Sequence, residues 1–147
     1  METKTVHIML VEDDHVDVRI IKRALQKEKI SNPIVVAKDG LEALAMLKGT
    51  EGIDRVPWPF LILLDLNMPR MNGFEFLQVI REDKTLHNNI VFVLTTSADD
   101  ADKVKAYEHH IAGYLVKSQV GNDFMRLIKM LDHFMISVEF PPLADQA

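Results

Sequence analysis

Short apolar runs alternate with amphipathic stretches along the chain. The runs Val6–Val11, Ile34–Ala37, Phe60–Leu64, Ile90–Leu94 and Gly113–Val116 are rich in Val, Ile and Leu and are largely continuous. Continuous runs of this length predict strands covered on both faces, as in a parallel sheet. The segments between them carry helical spacing. Val16, Ile20, Ile21, Ala24 and Leu25 form one apolar face; Leu41, Ala43, Leu44 and Leu47 form a second; Phe74, Phe76, Leu77 and Ile80 form a third. Val104, Tyr107 and Ile111 form a fourth, and Phe124, Leu127, Ile128 and Leu131 close the series. Strand then helix, five times over, predicts an α/β doubly wound fold with helices on both faces of the sheet. In such folds ligands gather at the carboxyl ends of the strands, where the strand order reverses.

Two stretches break the rhythm. Gly49–Pro59 is a turn-rich link holding Gly49, Gly52, Pro57 and Pro59, and Glu139–Ala147 is a tail with Pro141 and Pro142 that predicts extended chain. The length of 147 residues suits one domain. The expectation is a single domain over 1–147, with a core over about 6–134 and a C-terminal extension over about 135–147. A net charge of −5 argues against a nucleic-acid partner, which requires a basic face. The chain has no cysteine, which removes disulfides and thiolate metal sites and fits a cytoplasmic location. No run approaches the ~18 apolar residues of a membrane span, and Met1–Lys4 is not a signal peptide, so no membrane association is expected. Glycine-rich phosphate loops, zinc spacings and hydrolase nucleophile elbows are absent from the sequence.

The chemistry lies at the strand ends. The first predicted strand runs into Glu12-Asp13-Asp14, the third into Asp65, the fourth into Thr95-Thr96-Ser97 and the fifth into Lys117. One acid after a strand is a weak signal. Acids after two strands, hydroxyls after another and an amine after the last are a strong one. Clustered carboxylates repel and call for a cation, and Mg²⁺ is the hard ion that takes oxygen ligands. This set suits phosphoryl transfer to a carboxylate, with Asp65 as nucleophile. A lysine ammonium and a threonine hydroxyl would hold the remaining phosphoryl oxygens.

These residues resemble the receiver domains of two-component response regulators, over about Val6 to Phe134. The matching motifs are Leu10-Val11-Glu12-Asp13-Asp14, Leu64-Asp65-Leu66-Asn67-Met68-Pro69, Asn72-Gly73, Leu94-Thr95-Thr96 and Gly113-Tyr114-Leu115-Val116-Lys117. The resemblance implies a flavodoxin-like (βα)5 fold with strand order 2-1-3-4-5. It implies Asp65 as phosphoacceptor, and Mg²⁺ held by Glu12, Asp13, Asp65 and the main-chain carbonyl of Asn67. It further implies Thr95 as switch hydroxyl, Lys117 as its cationic partner and Tyr114 as the aromatic that follows the switch. Asn67 and Ser97 fall where the family tunes the lifetime of the phosphorylated state. Gly73 matches the turn before the third helix. A sensor histidine kinase is the implied donor.

Three features depart from the shortest members of the family. Ser118 stands where the family usually has a cis-proline, the link Gly49–Pro59 is longer, and an apolar tail runs from Phe134 to Leu143. Together they resemble the small response regulators that partner phytochrome-type kinases. The face formed by the fourth helix, fifth strand and fifth helix, about Asp99–Phe140, together with the tail, is the expected contact for a homodimer or a target. The tail has little left to pack on, and Met125, Met130 and Met135 read either as core filling or as part of that surface. Asp14 reads as a helix cap. His109 and His110 point ~100° apart on a helix and do not form a metal pair. The rivals are a pseudo-receiver acting as an adaptor and a phosphatase on the same fold; the latter lacks a second carboxylate at Leu66 or Asn67.

Overall fold

The computed structural model describes residues 5–50, 52–117 and 124–142, with side chains described except at 124–128. Ser118, and with it the geometry of the Lys117–Ser118 peptide, lies outside the described residues, as do the side chains of Phe124, Met125, Leu127 and Ile128.

Among the described residues, five strands and five helices of two turns or more alternate. They are β1 (His7–Val11), α1 (His15–Lys27), β2 (Ile34–Ala37), α2 (Gly40–Lys48), β3 (Phe60–Leu64), α3 (Gly73–Glu82), β4 (Val91–Thr95), α4 (Asp100–Glu108), β5 (Gly113–Val116) and α5 (Phe124–Ser137). The strands form one parallel sheet in the order β2-β1-β3-β4-β5. This is the predicted fold, and the order reverses between β1 and β3 as a doubly wound sheet requires.

Side chains alternate across the sheet and feed two cores. Met9, Val11, Ile62, Leu64, Val91 and Val93 face the side covered by α2, α3 and α4, through Leu47, Phe76, Leu77, Ile80 and Ala106. Ile8, Leu10, Leu61, Leu63, Phe92 and Leu94 face the side covered by α1 and α5, through Ile21, Leu25, Leu131 and Met135. Burial of each such side chain contributes about 1.5–3 kcal/mol. Because both faces are covered, the strands read as continuous apolar runs rather than alternating ones.

Caps fix where the helices begin. The Asp14 carboxylate accepts from the Val16 and Asp17 amides at 2.8 and 3.3 Å, and the Asp39 carboxylate accepts from the Glu42 amide at 2.9 Å. Asn72 and Glu75 form a reciprocal capping box at the start of α3. Asp14 is therefore the helix cap the sequence suggested.

Three predicted helix faces are corrected, that of α2 at Leu41, which is 45% exposed. Val16 and Ile20 of α1 are 60% and 47% exposed, whereas Ile21, Ala24 and Leu25 are buried. At ~100° per residue the buried set centres on Ile21 and Leu25, and Val16 and Ile20 lie a quarter turn or more away. In α4, Val104 and Tyr107 are exposed and Ala106 is the buried residue. Its small side chain is what this short helix presents to the sheet, while Ile111 is buried beyond the helix end.

The described part of the tail, as far as Pro142, is also corrected: it packs on its own domain. Phe134 meets Phe92 edge-on at 5.1 Å, and Phe140 meets Phe134 edge-on at 6.0 Å. The Trp58 indole N–H donates to the Pro141 carbonyl at 2.7 Å, tying the tail to the 49–59 link. Met130 and Met135 pack into the core beneath it, while Ile136 and Val138 stay exposed. Among the described residues no helix is long and apolar enough to cross a membrane.

Candidate functional site

The ladder extends past the strands and carries acids to one edge. The Glu12 amide donates to Ala37 O at 2.9 Å and the Asp65 amide to Val11 O at 3.0 Å. Both acids are thereby fixed by backbone bonds to neighbouring strands. The cap at Asp14 turns the chain immediately after Asp13 and leaves Asp13 exposed at the mouth. Carboxylate oxygens of Glu12, Asp13 and Asp65 all lie within 4.8 Å of one another. Glu12 and Asp65 are buried, at 3% and 7% exposure.

Lys117 arrives from the end of β5. Its ammonium donates to Glu12 Oε1 and to Asp17 Oδ2, the latter at 2.7 Å, and stands 3.9 Å from Asp65 Oδ2. Burial pushes the Glu12 carboxyl up, and the neighbouring Asp65 adds to this beyond what Lys117 offsets, so its pKa stands at about 8. Burial pulls the Lys117 ammonium down, but its bonds to Asp17 and Glu12 outweigh that and hold it above the usual lysine value. Glu12 Oε2 is buried and, among the described residues, has no hydrogen-bond partner. An orphaned carboxylate oxygen beside two further carboxylates is a donor set that fits a hard divalent ion.

The switch candidates lie one strand further on. Thr95, at the end of β4, is fully buried, and its hydroxyl oxygen accepts from the Ser97 amide at 3.5 Å. The Ser97 hydroxyl donates to Asp102 of α4 at 2.6 Å, and the Tyr114 hydroxyl donates to the Ser97 carbonyl at 2.9 Å. Burial raises the Tyr114 phenol above its ordinary pKa. Tyr114 is thus tied to the loop between β4 and α4 in this conformation. Asn67 is exposed two residues beyond Asp65, in the loop that leads to α3.

That loop is drawn tightly back. The Gly73 amide donates to Leu66 O at 3.0 Å, and a Cβ at Gly73 would sit 2.6 Å from the Asp65 carbonyl oxygen and 2.7 Å from Leu66 Cα. Only glycine admits this approach of backbone to backbone. Arg70, with φ of 62°, reaches across to the buried Asp39 through Nε at 2.7 Å and a second guanidinium nitrogen at 2.5 Å.

The structure brings Glu12, Asp13, Asp65 and Lys117 together as the sequence suggested, and sets Thr95, Ser97 and Tyr114 in a second connected group. Sequence reasoning missed Asp17 and the Asp39–Arg70 pair. Asp17 lies one helical turn beyond Asp13, a spacing that could have placed it on the site's side of α1. No comparable signal links Asp39 to Arg70.

A doubly wound sheet of this order, with an acid cluster and a lysine at its strand ends, defines a receiver-type signalling domain. The response regulator receiver domain model matches residues 8–131, and the chain belongs to that family. Response regulator Rcp1 of Synechocystis sp. is 35% identical over 137 residues, which cover 93% of this chain and 93% of Rcp1. The crystal structure of the phosphorylated cyanobacterial phytochrome response regulator RcpA superposes with a TM-score of 0.83 at 34% identity, covering 95% of this chain and 100% of RcpA. The Mn²⁺-bound form of Rcp1 gives 0.82 at 35% identity, again over 95% and 100% of the two chains. The chain is a receiver-domain response regulator related to phytochrome response regulators.

Proposed function

We propose that this protein is a single-domain response regulator that accepts a phosphoryl group on Asp65 from a sensor histidine kinase. The observation that carries the reading is the position of Asp65: buried at a strand end, clustered with Glu12 and Asp13, and 3.9 Å from the Lys117 ammonium. Glu12, Asp13, Asp65 and the Asn67 carbonyl would hold Mg²⁺. When bound, the ion offsets the charge of the carboxylates and of the incoming phosphoryl oxygens. An Asp65 oxygen attacks phosphorus in line as the phosphorus–nitrogen bond of the donor phosphohistidine breaks, and the imidazole leaves with the bonding pair. Lys117 and the Thr95 hydroxyl each hold a phosphoryl oxygen. Hydrolysis of the acyl phosphate later returns the carboxylate, and no external substrate is turned over.

Output runs through protein contact. Movement of Thr95 toward the phosphoryl group pulls on Ser97, whose carbonyl holds Tyr114 and whose hydroxyl holds Asp102. The equilibrium of α4, β5 and α5 shifts with them. Exposed Val104 and Tyr107 on α4, with Ile136 and Val138 at the C-terminal end, suit a homodimer through this face and the tail. Similarity to Rcp1 and to the phytochrome response regulator RcpA supports a phytochrome-type kinase upstream. The net charge of −5 speaks against a nucleic-acid partner, and we assign the protein to the cytoplasm without membrane association.

The test is intact mass after incubation with acetyl phosphate. One added phosphoryl group that requires Mg²⁺ and disappears in chelator is the expected result. No gain, together with no response to a beryllofluoride mimic, would favour an adaptor without phosphorylation.

A further inference from the structure

We propose that Asp17 is a positioning residue: it is the second acceptor that lets Lys117 release Glu12 to a divalent ion. The inference rests on the reading that Glu12, Asp13 and Asp65 bind such an ion. Lys117 is held from two elements at once, by Glu12 at the end of β1 and by Asp17 in the first turn of α1. Glu12 is the buried partner, with 2% of its side chain exposed against 29% for Asp17. Glu12 belongs to the three-acid cluster, and Asp17 does not.

The two roles of Glu12 conflict. A cation among the three acids and the Lys117 ammonium carry like charge and draw on the same carboxylate. The Lys117 side chain is only 16% exposed, so water alone does not replace a lost acceptor. An ammonium left without one in that setting is costly. Asp17 removes the conflict. Its bond to Lys117 at 2.7 Å can persist while Glu12 turns to the ion.

Asp17 is also well placed to hold still. Its amide donates to the Asp14 cap at 3.3 Å, so its backbone is fixed at the start of a 13-residue helix. From there it keeps Lys117 3.9 Å from Asp65, close by but beyond direct hydrogen-bond reach. Without Asp17, the ammonium would rest on Glu12 and compete with the ion.

The experiment is a Mn²⁺ titration of the full chain, followed by the electron paramagnetic resonance of the free ion. Asp17→Asn should weaken binding about tenfold, in the range seen when a partner orienting a metal ligand is lost. Asp14→Asn removes the same charge from the same turn at a residue that pairs with no lysine among the described residues, and it keeps a good cap, so it should bind within about twofold of wild type. Lys117→Met should cancel the effect, leaving the single variant and its Asp17→Asn double equal. No Mn²⁺ binding by the wild type would overturn the metal reading itself. Wild-type binding with Asp17→Asn no weaker than Asp14→Asn, or a loss that persists in the Lys117→Met background, would overturn the role of Asp17 alone.

Discussion

Replacing Gly73 by alanine probes the geometry that presents Asp65. The added Cβ would meet the Asp65 carbonyl oxygen at 2.6 Å and Leu66 Cα at 2.7 Å, both backbone atoms that cannot rotate aside. Gly40 offers a contrast, because a Cβ there meets the Met71 side chain, which can move. Overpacking of this kind costs about 1–3 kcal/mol. Alanine recovers up to about 1 kcal/mol through helix propensity at the start of α3. The net expectation is a loss of about 1–2 kcal/mol, or roughly 3–7 °C in melting temperature for a domain of this size. The strain falls on the peptide that follows Asp65, so its carboxylate should shift as well. A displacement of about 1 Å at a reacting group can cost on the order of 100-fold in rate. Thermal unfolding by circular dichroism and the rate of acetyl phosphate labelling measure the two effects. A variant that melts at or above the wild-type temperature and labels at the wild-type rate would refute the argument.

Three further outcomes are expected. Arg81 donates to the carbonyls of His109, His87, Asn89 and His110 at 2.6, 2.7, 2.8 and 3.1 Å, tying α3 to the ends of α4 and the loop before β4. Arg81→Met should cost about 2–3 kcal/mol in urea unfolding and leave the labelling rate unchanged, since this clamp sits at the opposite end of the sheet. Burial raises the Asp39 carboxyl, but bonds from the Glu42 amide and Arg70 outweigh it and hold its pKa below the ordinary 3.8. Its stabilisation is complete above that value and fades as pH falls through the lower folded-state value. Acid unfolding should therefore be less steep below about pH 4 in Arg70→Gln than in wild type; identical acid limbs would dismiss the pair. Phe140→Ala removes the outer ring of the edge-to-face stack and should cost about 1–2 kcal/mol. Trp58 is the sole tryptophan, so release of the tail from its indole should shift protein fluorescence to the red; an unshifted spectrum would argue against the docked tail.

The fold was legible because the three central strands are buried on both faces, the two edge strands are half-buried, and each helix interrupts the run with a different period. The acid cluster and Lys117 were legible because Glu12, Asp65 and Lys117 each directly follow an apolar run and Asp13 comes one residue later. What escaped the sequence has physical reasons. The apolar residues of α1 span more of the helix than the sheet covers, so Val16 and Ile20 looked inward but face solvent. The tail looked unpartnered because its contacts, Trp58 and Phe92, are far away in the chain. Asp17 was not singled out, because its place is that of an ordinary first-turn acid, favoured by the helix dipole. Its bond to Lys117 spans 100 positions of sequence, and no local pattern encodes it. Asp39 caps α2, and its partner Arg70 lies 31 positions on, in a left-handed backbone conformation.

The central claim is that Asp65 accepts a phosphoryl group at this site. The most direct measurement traps the product with borohydride after acetyl phosphate treatment and maps the reduced residue by tandem mass spectrometry. The account predicts homoserine at position 65, formed only with Mg²⁺ and absent from Asp65→Asn. Labelling at another residue, or labelling of Asp65→Asn equal to wild type, would contradict it.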